Sequence, residues 1–314
     1  MGSTENEAML EAVRERGLLV PGTPAVAMLS GGRDSVCLLD LAVRMLGSDA
    51  VTAIHVNYGL RDDSDADEAH CAALCSRLGV KLELERPRRP EGPGNLQSWA
   101  RDTRYAAAAR LALGQSATIA TGHTADDQVE TILYRLASSP SRRALLGMRP
   151  RDGSLVRPLL GFTREQTTAY CEERGLPWRD DPTNAEGGYA RNRVRHGLVS
   201  ALAEIHPAAA RNVLRTAELL RDEAEVLDSL VDAELGANGS ERGTIELSRL
   251  SELPPALRRL VVQRLADGAA GRPVPGAANH AEEVAALRRT GTAMLDLGGG
   301  VRAVVERGVL RAER

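Results

Sequence analysis

Ala25–Ser35 reads AVAMLSGGRDS, and Val36–Leu41 continues the chain as VCLLDL. An apolar strand, a Gly-Gly turn and an amphipathic helix follow one another here, which is how an α/β fold builds a phosphate site. Glycine lets the backbone approach an anion closely, and the free N–H groups and dipole of the helix N-terminus favour negative charge. The stretch predicts a nucleotide-phosphate loop, with a purely structural turn of similar composition as the alternative.

The side chains of this loop indicate which kind of phosphate transfer it could support. Its predicted nucleotide-binding residues are Ser30, Gly31, Gly32, Arg33, Asp34 and Ser35. The two serines add hydroxyl donors, and Asp34 suits either a metal ion or a helix cap. A Walker loop needs a lysine before Ser or Thr, and Lys81 is the only lysine in the chain. The P-loop NTPase and kinase route, in which a lysine binds the β- and γ-phosphates, is therefore disfavoured.

Composition sets further bounds. A length of 314 residues predicts two or three domains, and an apolar content of 43% is enough to form their cores. The net charge of −3 does not favour nucleic-acid binding. Arginine makes up nearly all the cations; it suits bidentate phosphate recognition, although a general arginine bias is the plainer explanation.

No membrane span or secretion signal is found, so we expect a cytoplasmic protein. The four cysteines show no disulfide or metal pattern.

Strand-like and helix-like segments alternate from about residue 24 to residue 136. This alternation predicts a parallel, doubly wound α/β sheet with right-handed crossovers. Ligands of such sheets bind outside the carboxyl ends of the strands, where the Ser30 loop, His55 and Gly122-His123 all fall. We predict a catalytic domain over 1–206, a helical linker over 207–240 and a small α+β domain over 241–314.

A second constellation, Gly122–Thr131, reads GHTADDQVET after the fourth predicted strand. Acidic residues at the start of a helix are also ordinary caps, so a structural role is an equal alternative for Asp126 and Asp127. Asp127 and Glu130, however, are three residues apart and share one helix face. A carboxylate pair at a strand-end crevice can hold a metal ion or an ammonium group.

These two motifs resemble those of a known family. The SGGxDS loop resembles that of the PP-loop ATP pyrophosphatases, and GHxxDDQxET is similar to the second motif of the tRNA(Ile)-lysidine synthetases. The other segments that resemble this family, in order, are HVNYGLR at 55–61, NLQSWARDTRY at 95–105, RPLL at 157–160, WRDDPTN at 178–184 and RNRVR at 191–195. Tyr58, Thr183 and Val194 depart from the usual His, Ser and Ile. The resemblance is close over about residues 20–235.

The resemblance implies a ligase that converts the anticodon cytidine (position 34) of an isoleucine tRNA with a CAU anticodon to lysidine. ATP adenylates the base at its C2 oxygen, and the ε-amine of free lysine then displaces AMP. We assign lysine binding to Asp127 and Glu130, and place Asp34 and Asp127 near Mg²⁺. Arg101 and Arg104 would face the triphosphate or the adenylated intermediate, unless they are simply solvated. His55, Gly122 and His123 are ligand-contact candidates.

The same resemblance implies a tRNA-binding surface. The candidate nucleic-acid residues are Arg142, Arg143, Arg191, Arg193 and Arg195. Their guanidinium groups would neutralise phosphates, although exposed arginine runs are commonly only solubilising. The expected partners are this tRNA and free lysine, with no membrane and with a homodimer left open.

Three other functions remain open from the sequence. A tRNA thiolase of the same ATPase group typically needs paired cysteines, and this chain lacks C-x-x-C. An amide-forming ligase with a small acceptor would not need the arginine-rich stretch 142–195. A nucleotide sensor without turnover would have no use for Asp127 and Glu130. Dependence on lysine and release of pyrophosphate separate these functions.

Overall fold

The structure, a computed structural model, describes residues 3–60, 63–88, 90, 95–138, 142–179, 190–236 and 243–314. The side chains of residues 3, 4, 143, 190 and 191 lie outside this description. The chain forms two compact units, Met1–Glu218 and Leu219–Arg314. Each unit has its own apolar core.

The first unit is built around a six-stranded sheet. Its strands are β1 (Ala25–Met28), β2 (Val51–Val56), β3 (Lys81–Glu85), β4 (Thr118–Ala120), β5 (Arg151–Asp152) and β6 (Leu155–Val156). They lie in the order β3-β2-β1-β4-β6-β5, and every neighbouring pair is parallel except β5 with β6. Every residue of β1 and β2 is buried, as expected for strands covered on both faces.

Helices cover both faces of this sheet. The helices of the first part are α1 (Ser3–Glu15), α2 (Arg33–Leu46), α3 (Ser64–Leu78), α4 (Leu96–Gln115) and α5 (Ala125–Ser138). Ala25 and Ala27 of β1 pack in one core cluster with α2, whereas Val26 and Met28 pack with alanines of α4 on the other face. The side chains of a strand alternate between its faces, so this is a doubly wound arrangement.

The rest of the unit is mostly helical. The segments are α6 (Arg142–Leu145), α7 (Arg164–Glu173), α8 (Ala190–Arg193), a π-helical turn (Val194–Val199), α9 (Ser200–Ile205) and α10 (Ala209–Gly236), of which α10 continues into the second unit. Val129 and Leu133 of α5 form a small cluster with Val194. This cluster fixes α5 against the arginine-rich segment that follows residue 190.

The second unit is an antiparallel sheet with short helices. Its elements are β7 (Thr244–Glu246), α11 (Leu247–Glu252), α12 (Pro255–Ala270), a 3₁₀ turn (Ala277–His280), α13 (Ala281–Ala285), β8 (Thr292–Gly298), β9 (Val301–Glu306) and β10 (Val309–Glu313), with strand order β7-β10-β9-β8. The β8–β9 turn passes through Gly298, Gly299 and Gly300, whose φ angles are 85°, 62° and 79°. Side chains are strained in that region, which explains the glycine triplet.

The predicted fold class is confirmed: a mostly parallel doubly wound sheet stands beside a small α+β unit. The pattern of residues 278–289 predicts one helix, but the helix there, α13, ends at Ala285. The composition of residues 150–206 predicts irregular structure, but a short hairpin, β5–β6, lies within it. The division at residues 206 and 240 stays a prediction. None of the helices in the described ranges combines the length and the apolar character that a membrane span requires.

Candidate active site

The predicted phosphate loop joins β1 to the N-terminus of α2. Ser30 N–H donates to Ser35 Oγ at 3.1 Å, and Ser35 Oγ donates to the Gly32 carbonyl at 2.7 Å, so the two serines close the loop on itself. Gly31 has a φ of 85°, and a Cβ there would lie 3.3 Å from Cys71 Sγ. The loop thus needs glycine for its turn and ends at a helix N-terminus, which attracts anions.

Gly122 brings the second motif against this loop. It follows β4, which pairs with β1 in parallel, so both motifs leave the same edge of the sheet. A Cβ built on Gly122 would lie 2.8 Å from the Asp34 carbonyl oxygen and 3.1 Å from Ser35 N. From β1 the chain adds β2 and then β3 on one side, and it adds β4 and then β6 on the other side. The order of the strands therefore reverses between β1 and β4, which is where doubly wound sheets bind ligands.

Gly122→Ala is expected to lower the free energy of unfolding by about 1–3 kcal/mol, because backbone atoms of α2 would have to move. Gly114→Ala, in α4 with nothing within 4 Å of its Cβ, is the matched control and should be slightly stabilising. Urea unfolding of the two variants checks this. Equal stability of both would contradict the close approach of β4 to the loop.

Asp34 is the carboxylate of the phosphate loop itself. Its Oδ1 accepts from Thr167 Oγ1 at 2.6 Å, and its Oδ2 lies 3.9 Å from Arg164 Nε. Burial raises the pKa of Asp34, and the negative charge of Asp127 adds to this, while Thr167, Arg33 and Arg164 act in the opposite direction. The net result is a carboxylate whose ionised form is disfavoured by its surroundings.

Asp127 and Glu130 lie on the buried side of α5, and two arginines bind them. Arg164 Nη2 donates to Asp127 Oδ1 at 2.9 Å and to Glu130 Oε1 at 3.2 Å. Arg195 Nε donates to Glu130 Oε1 at 2.6 Å. Asp127 Oδ2 also accepts from the Thr124 N–H at 2.9 Å, so it caps α5 as well. The two roles of Asp127, cap and site carboxylate, are therefore compatible.

Arg164 is a site residue that the sequence analysis does not identify, because its position depends on tertiary structure. It is the first residue of α7, which begins with a capping box between Thr163 and Gln166. Thr163-x-x-Gln166 is a sequence signature of a helix start, and it could have predicted that Arg164 lies in a first turn. Nothing in the sequence spacing indicates that this turn meets α5.

The other predicted residues divide into two groups. His55 is buried and its Nδ1 lies 2.9 Å from the Leu29 carbonyl, while His123 Nδ1 lies 2.7 Å from Thr121 Oγ1. Both histidines flank the crevice at the ends of β2 and β4. Arg101 and Arg104 instead lie beside Tyr105, with their Cζ atoms 4.7 and 6.0 Å from its ring centre. In the part of the chain that the structure describes, neither forms an ion pair with a carboxylate.

The predicted nucleic-acid residues are only partly within the described structure. Arg142 is half-buried in α6 and Arg193 is exposed in α8. Arg195 is turned toward Glu130 rather than toward solvent. The side chains of Arg143 and Arg191, and residues 61 and 180–184 of the matched segments, lie outside the described residues. Their assignment to RNA stays a prediction.

Asp34 and Asp127 fit a Mg²⁺ ion held together with phosphates. Their charges are close enough that Asp127 raises the pKa of Asp34, which is the situation that a divalent cation relieves. Mg²⁺ commonly takes one or two carboxylates and completes its shell with phosphate and water. Within the described ranges there is no group of three or more His, Cys, Asp or Glu side chains arranged for a metal.

This arrangement, a phosphate loop after β1 facing a carboxylate helix after β4, is that of a PP-loop domain, and the sequence profile of the PP-loop domain family matches residues 7–202. A tRNA(Ile)-lysidine synthase of Thermus thermophilus is 40% identical over 272 residues, covering 83% of this chain and 52% of that protein. The enzyme of the same name from Symbiobacterium thermophilum is 36% identical over 340 aligned positions, covering 98% and 69%. The chain belongs to the tRNA(Ile)-lysidine synthase family.

The chain spans about half the length of the Thermus relative. A solved structure of the U34-tRNA thiolase NcsA from Methanococcus maripaludis, with its [4Fe-4S] cluster, is similar with a TM-score of 0.60 and 18% identity over 70% of this chain and 80% of that one. At that identity the likeness concerns the fold alone.

Proposed function

We propose that this chain catalyses lysidine formation: ATP-dependent adenylation of the cytidine at position 34 of an isoleucine tRNA with a CAU anticodon, followed by attack of the ε-amine of lysine. The observation that carries the proposal is that one side chain, Arg164, lies 3.9 Å from Asp34 of the phosphate loop and pairs with both Asp127 and Glu130, so the carboxylate pair lies next to the loop. Family membership supports the choice of RNA and lysine as the substrates.

The first step needs an anion site and charge neutralisation. In this proposal the N–H groups around Gly31 and Gly32 and the hydroxyls of Ser30 and Ser35 bind the ATP phosphates. Asp34 and Asp127 would hold Mg²⁺, which neutralises phosphate charge when bound. The C2 oxygen of cytidine attacks the α-phosphate, the bond to the β-phosphate breaks, and pyrophosphate leaves.

The second step needs a cation site and a base. Free lysine carries an ammonium group near neutral pH, since its pKa is about 10.4. Arg164 and Arg195 already show that the Asp127–Glu130 pair binds nitrogen cations at 2.6–3.2 Å. We propose that the ε-ammonium group takes one of these positions and transfers its proton to a carboxylate. The amine then forms the C–N bond at C2, and AMP departs with the oxygen.

Sulfur transfer is disfavoured by the state of the cysteines. Cys37, Cys71, Cys75 and Cys171 are all buried. Burial raises the pKa of Cys71 to about 12 and that of Cys75 to about 11. A thiolase needs accessible thiolates or a cluster of them, and the raised pKa values keep Cys71 and Cys75 protonated near neutral pH.

The test is a pyrophosphate-release assay with ATP and Mg²⁺, with and without lysine and an isoleucine tRNA transcript with a CAU anticodon. We expect tRNA-dependent release, and mass analysis should show one lysine added at the anticodon cytidine. Release that ignores tRNA and lysine would redirect the substrate search to small acceptors. No release would favour a nucleotide sensor. A cytoplasmic location stays a prediction from the sequence, which leaves a homodimer open.

A further inference from the structure

Besides Arg164 and Arg195, a second group of cationic side chains lies at the carboxyl edge of the six-stranded sheet. We call Arg101, Arg104, Arg135 and Arg157, together with Tyr105, the arginine cluster. Arg157 directly follows β6, and the Thr121 N–H donates to the Val156 carbonyl at 3.1 Å, so Arg157 leaves the sheet beside Gly122. Arg135 Nη1 donates to the Gly147 carbonyl at 2.7 Å and Arg157 Nη1 donates to the Arg149 carbonyl at 2.6 Å. Both guanidinium groups are thereby held against one short loop.

Three buried donors of this cluster have no hydrogen-bond partner among the described residues. They are Arg104 Nε, the Tyr105 hydroxyl and Arg157 Nε. Arg157 is only 6% exposed, so water has little access to it. Buried donors without a partner are rare in native proteins because each loses its hydrogen bonds to water. Three of them in one neighbourhood indicate a missing acceptor.

The charge of the cluster indicates which acceptor is missing. None of its four arginines forms an ion pair within the described ranges, although most other partly buried arginines of this unit do. Burial lowers the pKa of Arg135 and of Arg157, and the positive charge of Arg101 adds to both, while Tyr105 and Asp152 act in the opposite direction on Arg157. An anion would relieve the repulsion and accept from all three donors, whereas water would supply only the acceptor.

We propose that the arginine cluster binds a phosphate oxyanion, through Arg157 Nε, Arg104 Nε and the Tyr105 hydroxyl, and that this phosphate belongs to the backbone of the substrate RNA. The choice of RNA rests on the proposed function. β6 lies two strands from β1, which is roughly 10 Å across the sheet. Phosphates of ATP bound at the Ser30 loop, which follows β1, would therefore lie away from the arginine cluster. Pyrophosphate is the other source of the same chemistry.

The variants are chosen to separate binding from folding. Arg157→Gln removes the buried charge, and Tyr105→Phe removes one hydroxyl while keeping the ring beside Arg101. Arg110→Gln is the matched control. Arg110 lies on α4, the helix of Arg104 and Tyr105, but it is exposed and paired with Glu85. Thermal unfolding identifies any variant that fails to fold, and Tyr105→Phe then carries the test alone.

The measurement is fluorescence anisotropy with an anticodon stem–loop RNA over a range of salt concentrations, repeated with RNAs that carry one methylphosphonate in place of a phosphate. We expect Arg157→Gln to weaken binding roughly 10- to 100-fold, and to lower the salt slope by about 0.7. One methylphosphonate position should weaken binding to the wild type, and should weaken binding to Tyr105→Phe and to Arg157→Gln by a smaller factor, because each variant has already lost one of the three donors. Arg110→Gln should bind as the wild type does.

Two outcomes would overturn the proposal. Unchanged RNA affinity with lost pyrophosphate binding, measured by calorimetry, would overturn the RNA source. Wild-type affinity for both ligands would overturn the oxyanion site and leave the arginines as supports of the Gly147–Arg149 loop. An unrelated stem–loop is measured in parallel, because phosphate contacts carry no sequence information. If the proposed function fails, the variants should still weaken binding to this second RNA.

Discussion

Glu130→Gln is expected to leave tRNA-dependent pyrophosphate release in place and to slow lysine transfer by roughly 10²- to 10⁴-fold. Gln keeps an oxygen that can accept from Arg195, but it neither attracts an ammonium group nor takes its proton. Adenylated RNA should therefore accumulate. Rapid quenching followed by mass analysis of the RNA would show a gain of AMP where the wild type shows a gain of lysine.

Glu165→Gln is the matched control for this experiment. Glu165 is exposed in the first turn of α7, one residue from Arg164, and it contacts none of the site carboxylates. It should retain both steps. Loss of pyrophosphate release in Glu130→Gln would contradict the assignment of Glu130 to lysine transfer alone, since it would place Glu130 in the adenylation step. Asp127→Asn, by contrast, should slow both steps, because Asp127 is assigned to Mg²⁺ as well as to lysine.

The parts of the fold that the sequence predicts well are those governed by local periodicity. The run VTAIHV at 51–56 predicts a strand, and residues 64–78, which Gly79 follows, predict a helix. Both elements have these bounds in the structure, because a short run rich in β-branched residues and a helix ended by glycine are local signals. The convergence of Ser30, His55 and Gly122 also follows from sequence, since parallel strands end at one edge. The β5–β6 hairpin is not predicted, because two-residue strands carry no detectable period.

The sequence predicts the site as a set of carboxylates but not as an ion-pair network. Asp127 and Glu130 are found from their spacing on one helix, which is a local property. Arg164 and Arg195 reach Glu130 from segments 34 and 65 residues further along the chain. Such a pairing depends on how α5, α7 and the helix after residue 190 pack. The network matters for function, because any ammonium group must compete with a guanidinium already in place.

Asp34→Asn is expected to raise the melting temperature at neutral pH while reducing ATP cleavage roughly 10²- to 10³-fold. Burial and the charge of Asp127 raise the pKa of Asp34 in the folded protein above its ordinary value of 3.8. The folded state therefore binds the proton more tightly than the unfolded state does. The cost of ionising Asp34 is absent below the unfolded pKa, grows as the pH rises toward the folded pKa, and is complete above it.

The stability difference between Asp34→Asn and the wild type should follow the same course. It should be small in acid, increase through the interval between the two pKa values and then stay constant. Asn retains the oxygen that accepts from Thr167 Oγ1, so the substitution removes charge rather than the hydrogen bond. Thermal unfolding at a series of pH values measures this, with the exposed Asp49→Asn as the control. A variant less stable than the wild type at neutral pH would mean that Arg33 and Arg164 stabilise the Asp34 charge more than burial opposes it.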